Sequence, residues 1–190
     1  MKSVKNLLEN ILEGLVVNNR YLIGDTHFGD DTIRKLEVRP FETVEKQTDE
    51  MVELWNSIVD SEDVVYIVGD FISVDADRYH LEKVKNLNGH KILIRGNHDT
   101  ESDAFYYALG IEKVYDLSVI IDDFWIVSHE PKYVNRNFPY ANIFAHVHNN
   151  PIYKTYSSRH YCVSAERIGF KPILFSKIKE KVFEEDKKQD

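Results

Sequence analysis

A chain of 190 residues, 43% of them hydrophobic, carries enough apolar material for one well-packed domain and is short for two, so residues 1–190 are read as a single unit. Its formal net charge of −8 repels long polyanions, which argues against sequence-independent binding of duplex nucleic acid but leaves small anionic substrates open wherever cations are bound locally. The single cysteine, Cys162, excludes an intrachain disulfide, and a cytoplasmic location is the default expectation.

In chain order, Val4, Leu7, Leu8, Ile11, Leu12 and Leu15 form an apolar stripe interrupted at helical spacing by Asn6, Glu9, Asn10 and Glu13. The spacing predicts an amphipathic helix over residues 1–16 docked on the body, with a homodimer contact as the alternative. Nothing approaches the roughly 20 apolar residues of a membrane span, so no membrane partner is expected. Short apolar runs follow, each closed by a polar cluster: Arg20 to Gly24, Val64 to Gly69, Lys91 to Gly96, Phe124 to Ser128 and Asn142 to Ala145. Their β-branched content predicts buried strands. Between the earlier runs, Val44, Met51, Leu54, Trp55 and Ile58 fit one amphipathic helix. Leu81, Val84 and Leu87 fit a second that stops at Gly89, and a third is expected from about Ser102 to Leu109, ending at Gly110. After Val114 strands dominate, through Asp116 to Ser128, Asn142 to Ala145 and Arg159 to Ala165, and residues 180–190 read as a fraying helix end. The order implies an α/β or α+β fold with more than one sheet.

The polar clusters are Gly24-Asp25-Thr26-His27, Gly69-Asp70-Phe71, Gly96-Asn97-His98-Asp99, Ser128-His129-Glu130 and Ala145-His146-Val147-His148. Each follows a strand, where ligand sites form in open α/β sheets. Two aspartates, one asparagine and four imidazoles supply seven donors, more than one ion needs once water is counted. One aspartate would therefore bridge two divalent ions, which at about 3.5–4 Å apart share a carboxylate and a nucleophilic hydroxide. In Asp25-x-His27 and His146-x-His148 the paired side chains project to one side of extended backbone. The oxygen and nitrogen donors, without thiolate, suit Mn²⁺ first, with Fe, Zn²⁺ or Ni²⁺ as alternatives.

These five clusters, in this order over residues 24–148, resemble the calcineurin-like metallophosphoesterases, and the text Asp25-Thr26-His27-Phe28-Gly29, Arg39-Pro40-Phe41 and Gly169-Phe170-Lys171-Pro172-Ile173 is similar to a small bacterial or phage branch of that family. The resemblance implies a four-layer αββα sandwich of two mixed sheets flanked by helices. It implies one ion on Asp25, His27, Asp70 and His148, and a second on Asp70, Asn97, His129 and His146, with Asp70 as the bridge. His98 then sits beside the phosphate to orient it or protonate the leaving group, and catalytic roles are expected for His98, Asp99 and Asn97. Two departures from the family pattern are Ala145, where glycine is usual, and Asp30, where this branch commonly has histidine. Asp30 could repel a phosphate or hydrogen-bond a ligand imidazole.

For the rest of the substrate, Arg95, Arg34, Arg39, Arg136, Tyr133 and Asn135 are candidates, because guanidinium forks suit phosphate and aromatic rings suit a base. Arg39-Pro40-Phe41 reads equally as a loop anchor, and His80, His90 and His160 read as structural or solvated. The expected partner is a small phosphoester, diester or nucleotide-type rather than monoester. The rival expectation, motivated by Asp30 and the N-terminal stripe, is a catalytically weak metal-binding scaffold acting through a protein partner.

Overall fold

The computed structural model describes residues 18–135, 137–153 and 157–187. The stripe expected over residues 1–16, Arg136 and the last three residues of the expected tail lie outside these. In chain order the elements are β1 (Arg20–Ile23), α1 (Asp31–Leu36), α2 (Val44–Asn56), β2 (Val64–Val68), α3 (Arg78–Val84), β3 (His90–Ile94), α4 (Asp103–Ala108), β4 (Ile111–Tyr115), β5 (Val119–Ile121), β6 (Trp125–Val127), β7 (Ala141–Phe144), β8 (His160–Cys162), α5 (Ala165–Ile168), β9 (Ile173–Leu174) and α6 (Phe175–Lys187).

The first sheet runs β4-β3-β2-β1-β9, with β1 to β4 parallel and β9 antiparallel to β1. The second runs β5-β6-β7-β8, with an antiparallel β5–β6 pair and parallel pairs beyond it. Alternation along the first sheet sends Tyr21, Ile23, Val65, Ile67 and Leu93 into a core with Met51 and Trp55 of α2, Val84 of α3 and Tyr106 of α4. The opposite face sends Leu22, Val68 and Ile94 into a second core with Trp125, Val127 and Ile143 of the other sheet and Phe175, Ile178 and Val182 of α6. Both faces are buried, which is why these strands read as unbroken apolar runs. Two mixed sheets flanked by helices are the architecture that the family resemblance implied.

Some boundaries differ. Helix α1 buries no residue, so it has no apolar period to reveal it; Asp30 starts it by accepting a hydrogen bond from the Ile33 N–H at 2.9 Å. Helix α3 stops at Val84 rather than running to Gly89, which instead forms a left-handed turn in which a side chain would press on the Asp63 carbonyl at 2.9 Å. Arg159 to Ala165 divides between β8 and the first residue of α5. Helix α6 begins at Phe175, well before residue 180, and buries Phe175, Ile178 and Val182 at the spacing of one helical face.

The ends of the two sheets are joined backbone to backbone. The Gly24 N–H donates to the Val163 carbonyl at 2.8 Å, and the Ala165 N–H donates to the Gly24 carbonyl at 3.0 Å. No side chain fits at residue 24, because a Cβ there would overlap the Ala145 Cβ and lie 2.8 Å from the Val68 carbonyl. This seam brings the carboxyl ends of β1, β2, β7 and β8 to one place.

Candidate metal centre

Each of the seven donors lies just past a strand end, at this seam. Five of them, Asp25, His27, Asp70, His146 and His148, have φ between 46° and 71°, although none is glycine. Left-handed backbone is costly for such residues, about 1–3 kcal/mol each, and persists only where surroundings enforce it. The surroundings are visible. Phe28 and Phe71, neighbours of His27 and Asp70, are fully buried edge to face at 5.7 Å, and burial of each ring contributes about 2–3 kcal/mol. The Asp25 N–H donates to the Gly69 carbonyl and the His27 N–H to the Asp70 carbonyl, at 3.0 and 2.9 Å. A Cβ on Gly69 would overlap the His129 ring, and one on Gly96 would overlap the Asp70 carboxylate. These glycines leave room for ligands to approach backbone.

The donor atoms fall into two groups. Atoms of Asp25, His27 and His148 lie within 4.8 Å of one another, as do atoms of Asp70, His129 and His146. Asp70 Oδ2 faces both, 3.5 Å from His27 Nε2 and 3.3 Å from His129 Nε2. Asn97 Oδ1 joins the second group, 3.1 Å from His129 Nε2 and 2.9 Å from His146 Nδ1. Three of the opposite ring nitrogens are held from behind. His129 Nδ1 faces the Val68 carbonyl at 2.9 Å, His148 Nδ1 faces Glu166 at 3.0 Å and His27 Nδ1 lies 3.5 Å from Asp30. Such backing fixes the tautomer and leaves the opposite nitrogen for a ligand bond.

Two atoms of the first group, Asp25 Oδ2 and His27 Nε2, are buried without a hydrogen-bond partner. Buried polar atoms are normally satisfied, so orphans converging on one space mark a missing partner. The electrostatics agree with a cationic one. At His27 burial opposes protonation, but the carboxylates of Asp30 and Asp70, each 3.5 Å from a ring nitrogen, outweigh it and raise the imidazole to about 9. Burial likewise opposes ionisation of Asp70, yet His129 and His27 hold its carboxyl well below the usual carboxylate range. Ionised carboxylates and orphaned nitrogen and oxygen donors, without a thiol, suit divalent cations of hard or borderline character.

The other expected residues separate sharply. His98 donates its backbone N–H to Asp70 Oδ1 at 2.9 Å and leaves its imidazole exposed, edge-on to His27 at 5.2 Å. Asp99, expected to share a catalytic role with His98, instead has its buried carboxylate taken up by the N–H groups of Asp70, Phe71 and Gly96 at 2.7, 3.0 and 2.8 Å. Arg39, named as a substrate contact, is buried: it donates to Glu166, to the Thr26 carbonyl and to the Asp25 carbonyl. The loop-anchor reading describes it, with Phe41 buried beside it. Arg95 is likewise turned inward, to the carbonyls of Asp99 and Glu101 and to Asp103, and Arg34 binds Asp31 and the Phe41 carbonyl. Tyr133 and Asn135 are exposed. His80 is buried against Thr48, His90 pairs with Glu112, and His160 bonds Ser157 and the Lys132 carbonyl, all apart from the donor groups.

Sequence reasoning missed Glu166, Arg167 and Gln47. Glu166 Oε1 receives Arg39 and backs His148; burial opposes its charge, but these partners hold its carboxyl down at about 2. Arg167 donates to the carbonyls of His148, Asn150 and Tyr153, and Gln47 donates to the carbonyl of His27. No local pattern marks them, since their partners are backbone atoms or side chains from distant segments.

Comparison with known proteins follows the same lines. Residues 20–188 match the family described as calcineurin-like phosphoesterase. An uncharacterized protein of Methanocaldococcus jannaschii, MJ1445, is 33% identical over 161 residues, 80% of this chain and 85% of that protein. The crystal structure of AQ665, a protein of unknown function from Aquifex aeolicus, superposes with a TM-score of 0.67 at 25% identity, covering 86% of this chain and 98% of its own. A Pseudomonas putida nuclease, MPE, aligns over 68% of this chain and 61% of its own at 24% identity and a TM-score of 0.49, too distant to bear on activity.

Proposed function

Because the chain belongs to the calcineurin-like phosphoesterase family, we propose that it hydrolyses a small phosphodiester, using two divalent cations. One would be held by Asp25, His27, Asp70 and His148, the other by Asp70, Asn97, His129 and His146. The observation that carries this reading is the position of Asp70 Oδ2, within 3.5 Å of a ligand nitrogen from each donor group. Bound there, the cations supply Lewis-acid stabilisation of the phosphoryl oxygens and an activated water.

The chain's own groups do the rest. Asp99 is a positioning residue: by gathering the N–H groups of residues 70, 71 and 96 it fixes the two loops that carry Asp70 and Asn97. His98, tethered through its N–H to Asp70, offers an exposed imidazole on the open side, where it orients the phosphate or gives a proton to the departing oxygen. Asp30, the motive for a scaffold reading, is engaged with His27 and the start of α1. A diester is favoured because, among the described residues, the candidate and neighbouring guanidinium groups of Arg34, Arg39, Arg95 and Arg167 are committed to protein groups rather than offered to the second charge of a monoester. The test is turnover of bis(p-nitrophenyl) phosphate and p-nitrophenyl phosphate with Mn²⁺ added. Hydrolysis of the diester that is faster than that of the monoester, and is lost with chelator and in Asp70→Asn, is expected. No turnover of either at full metal loading would turn the reading toward a scaffold.

A further inference from the structure

A cleft of about 860 Å³ opens beside the donor groups, with His146 and His148 on its inner side, Leu36 to Val38 on one wall and Asn149 to Pro151 on the other. Its outer wall is built against local preference. Helix α1 ends in a Schellman turn, in which the Val38 N–H donates to the Lys35 carbonyl at 3.2 Å and the Arg39 N–H to the Arg34 carbonyl at 3.0 Å. The residue in Val38's place must be left-handed, and here φ is 50°. Glycine is usual there, and a β-branched residue is a marked outlier. The valine gains no burial in return: the residue is 84% exposed, and Leu36, two positions before it, 68%. Among the described residues Val38 strains the backbone without burying its side chain, so what it offers is an apolar surface facing the cleft.

What it presents is apolar, and among the described residues no lysine or arginine lines the cleft. Arg39 and Arg167 turn inward to Glu166, Asp25, Thr26, His148, Asn150 and Tyr153, and Arg34 to Asp31 and the Phe41 carbonyl. Apart from the imidazoles, the ionisable groups lining the cleft among the described residues are Glu37 and Tyr153, so a second phosphate would meet a carboxylate. Asn149, exposed at the far wall, offers amide donors and an acceptor to a neutral polar edge.

We propose that this cleft binds the nucleoside group of a phosphodiester whose phosphate lies on the donor groups, with Val38 as its specificity contact. The proposal rests on the phosphodiesterase reading. Two diesters with the same charge and leaving group separate it from that reading: thymidine 5′-(p-nitrophenyl) phosphate and methyl p-nitrophenyl phosphate. The quantity read is the ratio of their kcat/KM values. An apolar contact of this size is worth about tenfold, so the wild type should favour the thymidine ester by about that factor or more. In Val38→Gly, which relieves the backbone, and in Val38→Asn, which also accepts a left-handed conformation, the preference should fall several-fold while the melting temperature holds or rises. A wild-type ratio near one, or a preference undiminished in both variants, would overturn the cleft. If neither ester turned over, the phosphodiesterase reading would fail, and equilibrium binding would still judge the cleft. Thymidine 5′-phosphate binding more tightly than inorganic phosphate, with the advantage lost in both variants, supports it; equal binding of the two ligands rejects it.

Discussion

At the scale of single residues, the seven donors were legible because each is a ligand type that follows an apolar run, and their order along the chain reinforced them. The residues that orient them were not. Glu166 lies 127 positions from Arg39, its closest charged partner, and no local spacing announces it. The arginines were visible as phosphate-type side chains, but their inward direction is set by backbone carbonyls that a sequence does not display. Glu166 also yields a test of how the centre is divided. It backs His148 at 3.0 Å, while the Asp70, Asn97, His129 and His146 group makes no use of it. Glu166→Gln keeps an acceptor for His148 and removes the charge. Losing a carboxylate behind a ligand imidazole typically costs about 10- to 100-fold in metal affinity. Calorimetric titration of Mn²⁺ into chelator-treated Glu166→Gln should show one of two binding steps weakened on that scale and the other close to wild type. Equal weakening of both steps, or of neither, would refute this division.

At the scale of elements, strands buried on both faces announced themselves as apolar runs, whereas α1 could not, having no buried face. The left-handed turns that aim the ligands were hidden as well, since they fall on Asp and His rather than glycine. One departure noted in the sequence, Ala145 where glycine is usual in the family pattern, acquires a structural meaning at the seam between sheets. The Ala145 methyl is fully buried and occupies the space that a side chain on Gly24 would need. Gly24→Ala should therefore destabilise the fold by about 1–3 kcal/mol, the usual cost of overpacking. Adding Ala145→Gly should recover part of that loss but not all, because the Val68 carbonyl would still stand 2.8 Å from the new Cβ. Urea denaturation of the two single variants and the double variant measures the coupling. Strictly additive effects would mean that the two residues do not compete for the same space.

At the scale of the whole molecule, the layered architecture was readable from the family motifs, while the way its halves lock together was not. The lock consists of the Gly24–Val163 backbone bond and the Arg39–Glu166 pair, and it places an unbalanced set of carboxylates and imidazoles at the seam. That imbalance gives the metal-free protein a pH dependence of its own. Burial works against protonation of His27, but Asp30 and Asp70 raise it to about 9 from an ordinary 6.5. A group whose folded value is raised contributes stability in full below its unfolded value and loses it as pH rises through the folded one. The His27 contribution should accordingly decline between pH 6.5 and 9. A bound cation acts in the opposite sense: it requires the neutral imidazole, and so its advantage over the proton grows as pH rises. Melting temperatures of chelator-treated and Mn²⁺-loaded protein, measured across that window, should diverge, the treated protein losing stability while the loaded protein holds. In Asp30→Asn, which removes a charge that keeps His27 protonated, the metal-free decline should be smaller and should end at lower pH. A gap between the two forms that stayed constant with pH would mean that proton and cation do not compete for His27.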